Sequence, residues 1–118
     1  LVGSEMCIRD SLKERMQACL VRHSTLRGKE VKKVAVLGGS GAFAIENAKR
    51  AGADVFVTAD LKYHDFFKSE TQILLADIGH YESEQFTKSL LFDYLSKIFP
   101  TFAVAISKVD TNPIKYYS

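Results

Sequence analysis

The residues best suited to chemistry lie in one short stretch, Asp77 to Glu84, which reads DIGHYESE. It follows an apolar run at residues 72–76 and precedes a long segment with helical apolar spacing. If a helix begins near His80, then His80 and Glu84 stand at positions i and i+4, with Cβ atoms about 6 Å apart on one face. An imidazole and a carboxylate placed in this way could bind one divalent ion, and the pair suits Zn, Mn, Fe or Ni.

The same stretch has an ordinary interpretation. Glu82 stands at i+2 and points away from the face of His80, where an acid in the first turn complements the helix dipole. The dipole would also explain Glu84, which could instead pair with Lys88 four residues later. Helical spacing alone therefore leaves a metal site and a charged surface both open.

A second pair of polar residues, Asp60 and His64, follows the neighbouring apolar run at residues 54–58. The carboxyl ends of parallel strands meet at one edge of a sheet, and ligands of such sheets bind there. We therefore expect both residues to line the same site as His80. The alternative for His64, within KYHDFF, is a surface position on a hydrophobic helix, and His23 is predicted to be a surface or packing residue.

A glycine-rich turn at residues 39–44, GSGAFA, matches the pattern G-x-G-x-x-[G/A] after a predicted strand. Asp60 lies 21 residues after Gly39, the spacing of the acid that binds a ribose in dinucleotide-binding domains. The alternative is a tight turn in which the glycines permit close packing. A dinucleotide-binding module is thus a second candidate function, although it gives His64 and His80 no role.

Strands and helices alternate along the chain, which predicts an α/β fold with a mainly parallel sheet and flanking helices. An edge strand is expected at residues 21–24, further strands at 33–37, 54–58, 72–76 and 102–106, and helices at 12–20, 42–51 and 80–99. Phe43, Ala44, Ala48 and Ala51 are expected on the inner side of the second helix. A short helix or irregular loop is expected at residues 61–69.

Length and composition exclude several classes of protein. The 118 residues suffice for one small domain, and the net charge of +2 gives no electrostatic argument for nucleic acid or an acidic membrane surface. No apolar run approaches the roughly 20 residues of a membrane-spanning helix. The two cysteines have no CxxC spacing, so we expect neither a disulfide framework nor a cysteine metal site, and we expect a cytoplasmic protein.

Residues 1–11 do not follow the layout of a signal peptide. The heptapeptide EMCIRDS, Glu5 to Ser11, resembles the translation of a sequencing-library adapter. We therefore expect residues 1–11 to be an adapter artefact and residues 12–118 to be the domain, cut from a longer gene with part of its site missing. The alternative is a natural disordered amino terminus.

Four segments together carry a resemblance to a known family: VKKVAVLGGSG, GADVFVTADLKYHDF, LLADIGHYESE and TNPIKYY. They resemble the carboxyl-terminal half of the Nif three-like dinuclear-metal family, whose members are catalogued as GTP cyclohydrolase 1 type 2 homologues. The similarity runs from about Leu12 to Ser118, and DIGHYESE is its most specific block. Ala59 stands where the family pattern T-G-D-x-x-Y-H has glycine.

The resemblance implies one lobe of a two-lobed protein with two divalent metal ions between the lobes. His80 and Glu84 match the ligands of the carboxyl-terminal lobe, and Asp60 and His64 line the site. The missing amino-terminal half would supply further histidines and an aspartate, and the complete protein would be a ring-shaped, cytoplasmic hexamer. The implied activity is metal-dependent hydrolysis of a nucleotide or related small molecule. The alternative is a non-catalytic metal carrier or adaptor. The resemblance assigns no catalytic residue.

Overall fold

The computed structural model describes residues 3–118. It comprises two compact units, Leu1–Ser83 and Glu84–Ser118. The first unit contains the sheet and its covering helices, and the second contains one helix, Thr87–Ile98, followed by a tail without regular secondary structure.

The sheet of the first unit has four strands: β2 (Arg22–His23), β4 (Val34–Ser40), β5 (Val55–Ala59) and β6 (Leu74–Asp77). Their order is β2-β6-β5-β4, in which β4, β5 and β6 are parallel and β2 runs antiparallel beside β6. A separate antiparallel ribbon pairs β1 (Gly3–Ser4) with β3 (Glu30–Val31). The prediction of an α/β fold with a mainly parallel sheet is confirmed.

Helices separate the strands of the first unit, and a further helix lies in the second unit. They are α1 (Glu5–Arg15), a 3-10 helix at Ala42–Ala44 that leads into α2 (Ile45–Arg50), a 3-10 helix at Tyr63–Ser69, α3 (His80–Glu84) and α4 (Thr87–Ile98). Alternate residues of β5 and β6 enter two separate cores, one beneath α1 and one beneath α2. The first core contains Ile8, Leu12, Val55, Val57, Leu74 and Ala76, and the second contains Ile45, Ala48, Phe56 and Leu75. Burial on both faces explains the continuous apolar runs of the sequence.

The first helix begins earlier than the predicted segment at residues 12–20. Ser4 caps α1 by accepting a hydrogen bond from the backbone N–H of Cys7, and Ile8 lies in the core. Glu5 is buried and accepts hydrogen bonds from Arg27 Nε and the Arg27 backbone N–H, both at 2.6 Å. The predicted adapter segment starts outside the described residues, and its origin stays a prediction. From residue 5 onward this segment forms part of α1, so the predicted helix start at residue 12 is wrong.

The helix predicted at residues 42–51 is shorter and turned differently. It opens as a 3-10 helix, and Ile45 and Ala48 are its buried residues, whereas Phe43 is 79% exposed. The expected inner position of Phe43 is therefore wrong, because the 3-10 turn shifts the helical phase before the α-helix begins. The expected inner position of Ala51 is wrong too, because α2 ends at Arg50 and Ala51 is exposed.

The helix predicted at residues 80–99 is interrupted by a turn at residues 85–86, between α3 and α4. One turn earlier, the Ser83 hydroxyl donates to the His80 carbonyl at 2.8 Å, a side-chain bond that competes with the helical ladder. The strand predicted at residues 102–106 does not form, because Glu84–Ser118 contains no strand with which it could pair. Within residues 3–118, no helix is long and apolar enough to cross a membrane.

Candidate functional site

Three parallel strands end at one edge of the sheet and bring polar residues of the first unit together. Ser40 is the last residue of β4, Asp60 follows the end of β5, and Asp77 is the last residue of β6. His80 begins α3 three residues later. The predicted meeting of strand ends is confirmed for Asp60 and His80, which are in direct contact.

Asp77 fixes the turn between β6 and α3. Its carboxylate is buried and accepts hydrogen bonds from the Leu61 N–H at 2.9 Å, the Gly79 N–H at 2.9 Å and Arg22 Nη2 at 2.5 Å. Arg22 also donates to the Leu61 carbonyl at 2.9 Å. Asp77 therefore joins β2, the loop after β5 and the start of α3, which sets the position of His80.

Asp60 connects the ends of β4 and β5 to His80. Its Oδ2 atom accepts a hydrogen bond from the Ser40 hydroxyl and lies 2.6 Å from Nδ1 of His80. The Asp60 and His80 side chains are 45% and 46% exposed, so the pair faces solvent. The Ser40 hydrogen bond, followed by the His80 hydrogen bond, holds the pKa of Asp60 below its ordinary value, with smaller contributions from the charges of His80 and Arg22.

The Asp60 backbone is left-handed, with φ of 58°. The preceding residue, Ala59, lies within β5 and is fully buried, so alanine there needs no positive φ. Aspartate tolerates the left-handed region better than most residues. The turn that the family pattern associates with glycine is thus made here by the residue after it.

Ser83 connects α3 to the glycine-rich turn. Its hydroxyl accepts a hydrogen bond from the Gly39 N–H at 2.8 Å while donating to the His80 carbonyl. The first turn of α3 is closed by the bond from the Ser83 N–H to the Gly79 carbonyl at 3.0 Å. The sequence did not predict the roles of Ser40 and Ser83, and its only signal for them is that one serine lies within GSGAFA and the other within DIGHYESE.

Glu82 is buried, which the sequence did not predict. It is 5% exposed, and its carboxylate covers Gly79, since a Cβ atom on Gly79 would lie 2.2 Å from Oε2 of Glu82. Gly79 has φ of 94°, a backbone conformation that favours glycine. The position of Glu82 follows from packing against this turn rather than from a surface role.

His64 lies in the 3-10 helix after β5 and is exposed. Its ring contacts those of Tyr63 and Phe67, with centroid distances of 5.1 and 6.1 Å. These contacts place His64 in an aromatic surface cluster, and its role as a residue lining the site stays a prediction.

Glu84 is the last residue of α3, and it belongs to the second unit. Among residues 3–118 no group of three or more His, Cys, Asp or Glu side chains is arranged to hold a metal ion. His80 nevertheless fits a ligand role, because its ring is oriented through Nδ1 by a carboxylate, the usual arrangement of metal-binding histidines. The described residues thus suit part of a site, not all of one.

The glycine-rich turn uses its backbone donors internally. The Gly39 N–H donates to Ser83, and the Gly41 N–H donates to the Ala59 carbonyl at 3.3 Å. A Cβ atom on Gly41 would lie 1.9 Å from Oγ1 of Thr58, so glycine there permits close packing against β5. A phosphate-binding turn needs its N–H groups directed at the ligand, and these contacts argue against that use.

Comparison with known proteins identifies the family. A profile of the Duf34/NIF3 family (NGG1p interacting factor 3) matches residues 4–113. The chain belongs to the Duf34/NIF3 family.

Curated members of the family are much longer than this chain. A GTP cyclohydrolase 1 type 2 homolog of Staphylococcus epidermidis is 37% identical over 108 residues, which cover 88% of this chain and 30% of the relative. A protein of the same name from Staphylococcus aureus is 30% identical over 122 residues, which cover 98% of this chain and 33% of the relative. The chain spans about a third of the length of these relatives.

Solved structures show the same fold. Staphylococcus aureus protein SA1388 is similar with a TM-score of 0.83 and 28% identity, over 99% of this chain and 39% of that one. A Bacillus cereus protein related to NIF3 is similar with a TM-score of 0.79 and 26% identity, over 99% of this chain and 34% of that one. The architecture described above is therefore a portion of the fold of larger family members.

Proposed function

We propose that this chain supplies two ligands, His80 and Glu84, to a divalent metal site that further residues complete. Both residues lie in α3, one helical turn apart, and a helical i, i+4 pair can reach one ion. The observation that carries the proposal is the 2.6 Å contact between Nδ1 of His80 and Asp60, which orients the ring as in metal sites.

The partner that completes the site is the remainder of a protein of family length, because relatives are about three times longer than this chain. That remainder would add histidine and carboxylate ligands, with two ions per complete site. The assembly would be a homo-hexamer, as the resemblance implies. The metal remains one of Zn, Fe, Mn or Ni, since imidazole and carboxylate donors suit all four.

The proposed activity is metal-dependent hydrolysis of a nucleotide or related small molecule. It is supported by the name shared by the relatives, GTP cyclohydrolase 1 type 2 homolog. A bound divalent ion would supply Lewis acidity, polarising a substrate oxygen and providing a nucleophile near neutral pH. In this chain Asp60 would orient His80, and Asp77 and Ser83 would hold the start of α3.

Ligand identity can be tested by adding substoichiometric Mn²⁺ to the ¹⁵N-labelled chain, because the paramagnetic ion broadens the signals of nearby residues. Broadening should centre on His80 and Glu84 and should disappear in His80→Ala and Glu84→Gln. Glu82→Gln is the matched control, since Glu82 is turned away by about 200° along the helix, and it should keep the wild-type pattern. Equal loss in Glu82→Gln, or no localised broadening, would contradict the assignment.

Turnover separates a hydrolase from a metal carrier or adaptor. A complete, metal-loaded protein should consume GTP in a reaction that stops when the ion is removed by a chelator. Stoichiometric metal without any consumption of GTP would contradict the cyclohydrolase activity and favour a carrier.

A further inference from the structure

The carboxylate of Asp60 determines which nitrogen of His80 carries the proton. An ionised carboxylate only accepts hydrogen bonds, so the contact between its Oδ2 atom and Nδ1 of His80 requires a proton on Nδ1. In the neutral ring the lone pair then resides on Nε2. A histidine that binds metal through Nε2 needs this tautomer.

Asp60 is itself held in place. The Ser40 hydroxyl, from the end of β4, donates to the same Oδ2 atom that contacts His80. The left-handed backbone of Asp60, at φ of 58°, costs free energy for any residue other than glycine. Such a conformation persists where the surrounding contacts determine it, and here the contacts converge on His80.

The backbone of His80 is held from the same turn. Ser83 bridges the Gly39 N–H and the His80 carbonyl, with both hydrogen bonds at 2.8 Å. Adjacent residues, Gly39 and Ser40, therefore fix the backbone of His80 through Ser83 and its ring through Asp60. This arrangement gives the glycine-rich turn a specific role at the site.

We propose that Asp60 is a positioning residue that fixes His80 in the Nδ1–H tautomer, with Ser40 orienting Asp60, so that Nε2 is the metal-binding atom. The inference rests on the proposed role of His80 as a ligand. The proton position itself, however, is a property of the chain without metal, and it can be measured separately.

The test is a long-range ¹H–¹⁵N spectrum of the three imidazole rings, recorded at increasing alkaline pH until each ring carries a single proton. The wild-type His80 ring should carry its proton on Nδ1. In Asp60→Ala the proton should move to Nε2, the form that an unconstrained histidine side chain favours. Asp65→Ala, which removes an acid that pairs with Lys68, is the matched control and should leave His80 unchanged.

Backbone amide spectra of each variant show whether the sheet is intact. If Asp60→Ala does not fold, the wild-type spectrum still decides, because a His80 ring protonated on Nε2 overturns the inference. An unchanged Nδ1–H ring in folded Asp60→Ala would overturn it too.

Zinc titration, followed in the same spectra, separates this inference from the metal function. Asp60→Ala should weaken Zn²⁺ binding at His80 about 10- to 100-fold, and Asp65→Ala should leave it unchanged. If the tautomer responds as expected and no ion binds at His80, the positioning role stands and the metal function fails. If Zn²⁺ binds equally well in Asp60→Ala with an unchanged tautomer, the metal function stands and Asp60 has no positioning role.

Discussion

Among single residues, Gly79 is the one on which the turn into α3 depends. Gly79 combines a φ of 94° with the carboxylate of Glu82 directly above its Cα atom. Any side chain there would be strained in its backbone and would displace a buried acid. The start of α3, and with it the position of His80, therefore requires glycine.

Gly79→Ala should destabilise the fold by about 2 kcal/mol or more, the backbone cost plus the cost of moving Glu82. Gly28→Ala separates the two effects, because Gly28 has a φ of 71° and open space where a Cβ would lie. The control should lose only about 1 kcal/mol. Urea unfolding of both variants checks the difference, and equal losses would mean that Glu82 moves aside at no cost.

The sequence predicts which residues meet at the site better than it predicts how they are held. Asp60 and His80 could be placed together because both follow the ends of parallel strands. The contributions of Ser40 and Ser83 could not be predicted, because a hydrogen bond between a side-chain hydroxyl and a residue 20 or more positions away leaves no periodic pattern in the sequence. The burial of Glu82 could not be predicted from the sequence either, since it depends on the backbone conformation of Gly79.

At the scale of elements, the apolar runs predict β4, β5 and β6 to within three residues of their ends. Strands buried on both faces have a distinctive composition, which explains this success. The α1 boundary, the break before α4 and the missing strand at residues 102–106 depend on caps, side-chain bonds and partners. Hydrophobic periodicity contains none of that information.

Asp54 clamps the amino ends of β4 and β5, opposite the candidate site. Its Oδ2 atom accepts hydrogen bonds from the backbone N–H groups of Lys32 and Lys33, both at 2.8 Å. These two bonds, in that order, hold the pKa of Asp54 below its ordinary value. A lowered pKa in the folded state means that the ionised form stabilises the fold.

Asp54→Asn should lower the free energy of unfolding by about 1–2 kcal/mol at neutral pH. The amide is uncharged and accepts the two backbone hydrogen bonds less strongly than the carboxylate, and partial exposure limits the difference. The contribution is complete above the unfolded pKa of about 3.9 and is lost as the pH falls through the lower folded value. Urea unfolding from pH 7 to pH 3 should show the two proteins converging in acid. A difference that stays constant over this range would show that ionisation of Asp54 is not its source.

The glycine-rich turn should not bind a dinucleotide, because its Gly39 and Gly41 N–H groups are bonded within the protein. Titration of the chain with NADH or FAD, followed by fluorescence, should show no saturable binding. Micromolar binding that is lost in Asp60→Ala would restore the dinucleotide-binding alternative.

For the whole molecule, the outer strand β4 is the surface best suited to contact another part of a longer protein. β4 is the last strand on one side of the sheet, where among the described residues it pairs only with β5, and Val36 within it and Phe43 just after it are 69% and 79% exposed. Exposed apolar residues on a strand whose outer edge has no neighbouring strand promote association. Relatives about three times longer have additional chain that could cover such a surface.

We expect the isolated chain to self-associate and to bind metal weakly, since it offers an open strand and only two ligands. Val36→Lys should shift the population toward monomer in sedimentation velocity, because a charge on an edge strand opposes pairing. Leu20→Lys replaces another exposed apolar residue, away from β4, and should have little effect. A wild-type chain that stays monomeric at all concentrations and retains stoichiometric metal would contradict this expectation.

Binding of a divalent ion by His80 and Glu84 can be tested by anomalous diffraction at the zinc edge from crystals grown with Zn²⁺. We expect an anomalous peak about 2.0–2.1 Å from Nε2 of His80, with a carboxylate oxygen of Glu84 at a similar distance. Asp60 should remain on Nδ1, and Glu82 should remain against Gly79. A peak bound to Nδ1 or to Glu82, or no peak at α3 in protein that holds zinc elsewhere, would contradict it.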